Sequence, residues 1–113
     1  MNRKIKIALP TDDGLTIRQQ SICAKGFFVA TIKSGIIVHQ ELRSNLLSEI
    51  LTSEDGLFYN LVDCDLVIVR GIGTRDCEYL KTNNKEIVRT HEPMITKALK
   101  NYLIRFCNTA EVK

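Results

Sequence analysis

The chain has 113 residues, a net charge of +3 and 44% hydrophobic residues, so it is long enough for one domain and too short for two. Basic and acidic residues are interspersed, and no basic stripe alternates with aromatic residues, which excludes an evident nucleic-acid-binding surface. No apolar run approaches the roughly 18 residues of a membrane span, and the first residues lack the apolar core of a signal peptide. We therefore expect a cytoplasmic protein whose four cysteines are thiols.

The first half of the sequence predicts three strands. Residues 4–10, KIKIALP, alternate apolar and polar side chains and end at a proline, which is typical of a strand. The turn TDDG follows, and residues 15–24 are irregular by pattern. The runs FFVATI and IIVHQEL then predict a hairpin, whose short connection KSG offers Gly35 for a positive φ.

The second half predicts helices that alternate with strands. Apolar residues at helical spacing predict two amphipathic helices within residues 46–62. Residues 66–69, LVIV, are apolar without alternation, which is typical of a strand covered on both faces, and a short helix over 74–82 and a short strand EIVRT follow. Pro93 suits the first turn of a last helix. We expect its core face to consist of Ile95, Ala98, Leu99, Tyr102 and Leu103.

These elements predict a single-domain α/β fold. The sheet should be five-stranded and mixed, with an antiparallel hairpin, a parallel βαβ second half and helices packed on its faces. We expect the domain to span residues 1–107 and residues 108–113 to form a frayed tail.

The predicted topology indicates where a ligand would bind. In open α/β sheets, ligands bind beyond the carboxyl ends of parallel strands. The first and fourth strands would end side by side, and the last strand would bring His91 to the same rim. The predicted binding crevice therefore consists of Thr11, Asp12, Gly71, Ile72, Gly73 and Thr74.

The position of each cysteine in the predicted fold indicates whether it is a candidate ligand or a structural residue. Cys77 lies in the first turn of the helix after Gly73, where free backbone N–H groups favour a thiolate, and Cys23 is able to reach the same rim. Alternatively, Cys77 would lie on the buried face of the helix, where a cysteine packs as a small apolar residue. Cys64, at the opposite end of the fourth strand, and Cys107 are interpreted as structural. Soft thiolates suit iron and sulfur, so the candidate metal ligands are Cys23, Cys77 and His91.

Other kinds of site receive less support from the residues. The GIGTRD turn lacks the third glycine of a dinucleotide fingerprint and the Lys-Ser or Lys-Thr pair of a P-loop, and Asp76 would repel a phosphate there. Asp12 and Asp13 are more typical of a turn than of a metal-binding pair. No Ser/His/Asp set is present, so we predict that the protein is not an enzyme.

Four stretches of the sequence resemble the dinitrogenase iron–molybdenum cofactor biosynthesis domain, the family of NifX, NifY and the C-terminal part of NifB. They are KIKIALPTDDG, AKGFFVATIKSGII, DLVIVRGIGTRDCEYL and ITKALKNYL, in the family's order. The resemblance implies a ribonuclease-H-like α/β fold. Nuclease activity is not expected, because the first strand, KIKIAL, lacks the inward acidic residue that two-metal chemistry needs. The resemblance also implies a carrier of iron–sulfur or iron–molybdenum cofactor precursors, with cofactor-assembly proteins as partners and a monomeric or homodimeric state.

The sequence departs from the family where its ligands usually lie. Residues 20–23, QSIC, replace a segment that often contains histidine, and residues 44–56 contain neither His nor Cys. Glu92 and Pro93 replace a Gly-Gly pair. Cys23 and Cys77 are candidate substitutes for these ligands, although the resemblance does not imply that role. Two alternatives remain open: an interaction or regulatory protein that has kept the fold and lost the cluster site, and a phosphate or nucleotide binder at Gly71–Thr74.

Overall fold

The computed structural model describes residues 4–20, 24–44 and 61–106. Its strands are β1 (Lys4–Thr11), β2 (Gly26–Lys33), β3 (Ile36–Ser44), β4 (Leu66–Val69) and β5 (Glu86–Arg89), and its helices are α1 (Thr74–Thr82) and α2 (Ile95–Phe106). Apart from Leu61 and Val62, the predicted helices of residues 46–62 lie outside the described residues, as do Cys23, Cys107 and the predicted tail.

The five strands form one mixed sheet in the order β3-β2-β1-β4-β5. β2 runs antiparallel to both β1 and β3, whereas β4 runs parallel to both β1 and β5. The predicted α/β fold, with its antiparallel hairpin and parallel second half, is therefore confirmed. The ribonuclease-H-like assignment stays a prediction.

The hairpin between β2 and β3 turns at two residues with positive φ, Ser34 at 54° and Gly35 at 81°. A two-residue turn of this hand matches the twist of the strands that it joins. Further along this pair of strands, Thr31 pairs with His39, but the next residue, Ile32, pairs with Ile37. Val38 is therefore an extra residue in β3, and the register of the two strands shifts at this point. This bulge interrupts the pairing near one end of an edge strand.

The alternation of side chains along the strands produces a core on each face of the sheet. Ile7, Leu9 and Ile68 are buried against α2, whereas Ala8 and Val67 are buried on the face that α1 covers. Neighbouring residues of β4 thus belong to opposite cores, which confirms the prediction of a strand covered on both faces.

The predicted core face of the last helix is confirmed. Ile95, Ala98 and Leu99 are buried, and Tyr102 and Leu103 pack against them. The helix begins at Ile95, two residues later than Pro93 suggested. The reason is a bridge to the segment after β1: the Ile17 amide donates to the Pro93 carbonyl at 2.7 Å, and the Ile95 amide donates to Leu15 at 3.0 Å.

Candidate functional site

The carboxyl ends of β1, β4 and β5 lie at one edge of the sheet because these strands are parallel neighbours. The segment after β1 lies between the two loops that follow β4 and β5. On one side, a Cβ atom added to Gly71 would lie only 2.7 Å from the Gln19 carbonyl oxygen. On the other side, Thr16 forms an isolated bridge with Met94. We call this edge of the sheet the rim.

Asp13 builds the turn that follows β1. Its carboxylate accepts hydrogen bonds from the amides of Leu15 and Thr16, both at 2.8 Å, and from the hydroxyls of Thr16 and Thr11. The bonds from the Thr16 and Leu15 amides stabilise the charged form and lower the pKa of Asp13 to about 2. The interpretation of TDDG as a turn is confirmed.

Thr11 and Asp12 also bond within this loop. The Thr11 hydroxyl, which is nearly inaccessible, accepts a hydrogen bond from the Gly14 amide at 2.9 Å. Asp12 accepts one from the Lys25 amide at 2.9 Å and forms an ion pair with Arg18. The Lys25 amide and then the Arg18 guanidinium lower the pKa of Asp12. Both side chains are thus engaged in holding the loop that borders the rim.

The other four residues of the predicted crevice line a groove of about 450 Å³ at the start of α1, which we call the glycine groove. Its remaining described lining residues are Gln20, Arg75 and Asp76. Asp76 is only 5% exposed. A buried acidic side chain beside a helix N-terminus opposes the binding of a phosphate there. The glycine groove is therefore poorly suited to the phosphate or nucleotide that one of the two alternatives places at Gly71–Thr74.

Cys77 lies half-buried in the first turn of α1. Its amide donates to the Gly73 carbonyl at 2.9 Å, so this N–H belongs to the helix and is not free to bind a ligand. Its sulfur accepts a hydrogen bond from the Arg89 guanidinium at 3.9 Å. Cys77 is thus linked to the last residue of β5. Cys23, its proposed companion, lies outside the described residues.

His91 is exposed in the loop after β5. It lines a second groove, between β5 and α2, together with Arg89. Arg89 therefore contacts Cys77 on one side and borders the groove of His91 on the other. Two of the three predicted metal ligands, Cys77 and His91, thus lie in the segments that follow β4 and β5.

Within the ranges 4–20, 24–44 and 61–106, no three side chains of His, Cys, Asp or Glu come together as a metal-binding group. Cys64 is excluded from such a role by burial. It is 1% exposed, and burial followed by the nearby Asp63 carboxylate raises the pKa of its thiol to about 11. The structural interpretation of Cys64 is confirmed.

Arg89 and Arg105 also line the groove between β5 and α2, and neither was expected as a site residue from the sequence. Arg89 is the last residue of β5, so its position at the carboxyl end of a strand was an available signal. Arg105 lies in the last turn of α2 and lines the groove from that helix. No pattern in the sequence indicates that position.

Known structures share this fold. The crystal structure of PH0822 superposes with a TM-score of 0.79 at 17% identity, covering 89% of this chain and 92% of that one. MJ0327 from Methanocaldococcus jannaschii gives a TM-score of 0.71 at 15% identity, with 93% and 91% covered. The apo form of the orange protein from Desulfovibrio gigas gives 0.71 at 16% identity, with 93% and 92% covered.

The helices among the described residues are too short or too polar to cross a membrane. Comparison with curated proteins finds no match to this sequence. The family model for the dinitrogenase iron–molybdenum cofactor, in contrast, matches residues 3–104, which is nearly the whole chain. The chain belongs to the dinitrogenase iron–molybdenum cofactor family.

Proposed function

We propose that this protein is a small, non-enzymatic carrier of an iron–sulfur or iron–molybdenum cofactor precursor cluster. The observation that carries the proposal is the position of Cys77: in a member of this family, a half-buried thiol lies at the rim where ligands of α/β proteins bind. Thiolates are the usual ligands of iron–sulfur clusters. The proposed ligands are Cys77 and Cys23, with His91 as a third.

The chemistry of these donors suits a cargo more than a resident cofactor. Closed iron–sulfur sites use four protein ligands. Two or three ligands at a solvent-accessible rim leave some coordination positions open, and another protein can then take the cluster by exchanging ligands. Partners in cofactor assembly would supply the cluster and receive it. The described residues Asp12 and Asp13 take no part, because the loop already engages their carboxylates.

Anaerobic reconstitution with ferrous iron and sulfide tests the proposal. Wild-type protein is expected to gain visible absorption and to retain stoichiometric iron after desalting, since a cluster held by thiolates absorbs in the visible range. The Cys23→Ala/Cys77→Ala double variant should lose both signals, and His91→Ala should retain less iron than wild type.

Cys64→Ala is the matched control, because it removes a thiol that is buried and away from the rim. It should keep the absorption, and circular dichroism should show that every variant is folded. A wild-type protein without a cluster signal, or a double variant with an unchanged one, would contradict the proposal. That result would favour the alternative, an interaction protein that has kept the fold and lost the cluster site.

A further inference from the structure

A long groove lies between the β2–β3 hairpin and α2, on the face of the sheet that α2 covers. We call it the hairpin groove. Its volume is about 720 Å³, within the range of small-molecule sites. Leu15 and Met94 lie at its rim end, and Gly35 of the hairpin turn lies at its other end. The helix borders the groove from Ile95 to Ile104, a length of roughly 13 Å at the usual helical rise.

The walls of the hairpin groove are mainly apolar. Two adjacent stripes of α2 form one wall, because residues four apart lie on the same side of a helix. The inner stripe belongs to the core face of the helix, and the outer stripe consists of Thr96, Lys100 and Ile104. On the opposite wall, β2 contributes Phe28 and β3 contributes Ile37. A ligand in the groove would therefore contact hydrocarbon on both sides.

Three apolar side chains at the border of the hairpin groove are exposed to solvent. Leu15 is 64% exposed, Ile104 is 51% exposed and Met94 is 37% exposed. A single exposed apolar side chain is ordinary in a folded protein, but several around one concave surface are typical of a binding site. Covering them would remove apolar area from water, which favours a ligand with an apolar body.

Lys100 supplies the charge of the hairpin groove. It is the one charged residue among the described lining residues, and its position on α2 is exposed. Gln40 and Thr96 add neutral hydrogen-bonding groups. A few polar groups at the border of an apolar site fix the orientation of a ligand, and an ammonium group selects an anion. The groove therefore suits a molecule with one acidic group and a long apolar part.

We propose that the hairpin groove binds an aliphatic amphiphile with one acidic group, such as a medium-chain fatty acid. Lys100 would pair with the acidic group, and the chain would lie along the groove between Phe28 and the two stripes of α2. A helix of the same length, about 10 Å across, would fill roughly 1,000 Å³, so the groove suits a narrower occupant. This inference goes beyond the proposed cluster carrier and does not depend on it, because no thiol or imidazole among the described residues lines the hairpin groove.

Metal-free full-length protein labelled with ¹⁵N is titrated with decanoate, octanoate and decyltrimethylammonium, each below the concentration at which it forms micelles. Saturable amide shifts are expected at residues 28, 37 and 94–104. Decanoate should bind about tenfold more tightly than octanoate, because two more methylene groups leave water. The cationic amphiphile should bind at least about threefold more weakly than decanoate, since Lys100 attracts the carboxylate and repels the ammonium group.

Lys100→Gln should weaken the binding of decanoate by about threefold, the usual effect of losing one exposed ion pair. Lys97→Gln is the matched control. It removes the same charge from an exposed position of α2 outside the groove, and the affinity should stay within about 1.5-fold of wild type. Ile104→Glu, also at an exposed position, places a negative charge in the outer stripe and should weaken the binding of decanoate at least about fivefold.

Three results would overturn the proposal: equal losses in Lys100→Gln and Lys97→Gln, equal affinities for the two carboxylates, or no saturable binding. Vesicles of phosphatidylglycerol provide a further check. Co-sedimentation with these vesicles without binding of decanoate would show that the apolar border docks on a membrane surface, and it would overturn the proposal as well.

Discussion

At the scale of single residues, the surroundings of two sulfur atoms decide which thiol is available for chemistry. Cys64 is buried, and the pKa of its thiol is raised to about 11 by burial and by Asp63. Cys77 is half-buried and contacts the Arg89 guanidinium through its sulfur. The thiolate is the nucleophile and the metal ligand, so a thiol that stays protonated takes part in neither reaction.

We expect iodoacetamide at pH 8 to alkylate Cys77 in the native protein much faster than Cys64. With a pKa of about 11, the thiolate fraction of Cys64 is roughly a hundredth of that of an ordinary cysteine, and burial slows access further. Peptide mapping by mass spectrometry measures both rates in one sample. Denaturation in guanidinium should remove the difference, and equal native rates would contradict the burial of Cys64.

At the scale of elements, the two glycines after β4 have different roles in joining the strand to α1. Gly71 lies so close to the segment after β1 that an added Cβ would be 2.7 Å from the Gln19 carbonyl oxygen. Gly73 is the N-cap of α1, with an extended backbone, no side-chain cap and no atom within 4 Å of an added Cβ. The first glycine is required by packing, whereas the second occupies a position that suits a capping serine.

The same substitution should therefore have opposite effects at these positions. Gly71→Ser is expected to destabilise the fold by about 1–3 kcal/mol, because backbone atoms must move to relieve the contact. Gly73→Ser should be neutral or stabilise it by up to about 1 kcal/mol, since a serine hydroxyl at the N-cap can accept a hydrogen bond from an amide of the first helical turn. Urea unfolding followed by circular dichroism measures both. Similar losses at the two positions would show that Gly73 is also held by packing.

At the scale of the whole molecule, a group of charges on the outside of the sheet joins elements that are distant in the sequence. The guanidinium of Arg43, in β3, donates a bidentate pair of hydrogen bonds to the Asp63 carboxylate, at 2.8 and 3.0 Å. The ammonium group of Lys6, in β1, contacts the same carboxylate at 2.9 Å. Hydrogen bonds from Arg43 and then Lys6 hold the pKa of Asp63 well below its usual range. The edge strand β3, β1 and the segment before β4 are thus connected through one side chain.

We expect Asp63→Asn to lower the free energy of unfolding at pH 7 by about 1 kcal/mol, a value limited by solvent screening because the Asp63 side chain is 42% exposed. The folded-state pKa lies below the ordinary 3.8, so the wild-type contribution is present above that pH and is lost as the pH falls further. The difference between variant and wild type should consequently shrink below about pH 4.

Chemical unfolding at pH 7, 4 and 3 measures this difference, and added salt should reduce it at pH 7. Glu78→Gln is the control, because it makes the same change of charge at an exposed position of α1. A difference between Asp63→Asn and wild type that is constant across this pH range would rule out an ionised contact with Arg43 and Lys6.

Within residues 4–20, 24–44 and 61–106, the sequence by itself determined which segments form strands and helices. Local patterns of burial are visible in the alternation of KIKIAL, in the continuous apolar run LVIV and in the helical spacing of Ile95, Ala98 and Leu99. These patterns indicate strands and helices because side-chain direction follows the geometry of each element. The strand order was not predicted, but the expectation that β1 and β4 end side by side is confirmed by their parallel pairing. The turn at Asp13 was also readable, because a side chain that bonds the next amides acts within a few residues.

Only the tertiary structure decided which side chains meet at the rim. The close approach of Gly71 to Gln19 and the contact of Arg89 with Cys77 both join residues from different elements. Periodicity reports which face of a helix or strand is buried. It does not report which residues of other elements contact that helix or strand. The groove between β5 and α2 likewise depends on how α2 lies across the sheet, and that position is fixed by the packing of the whole core.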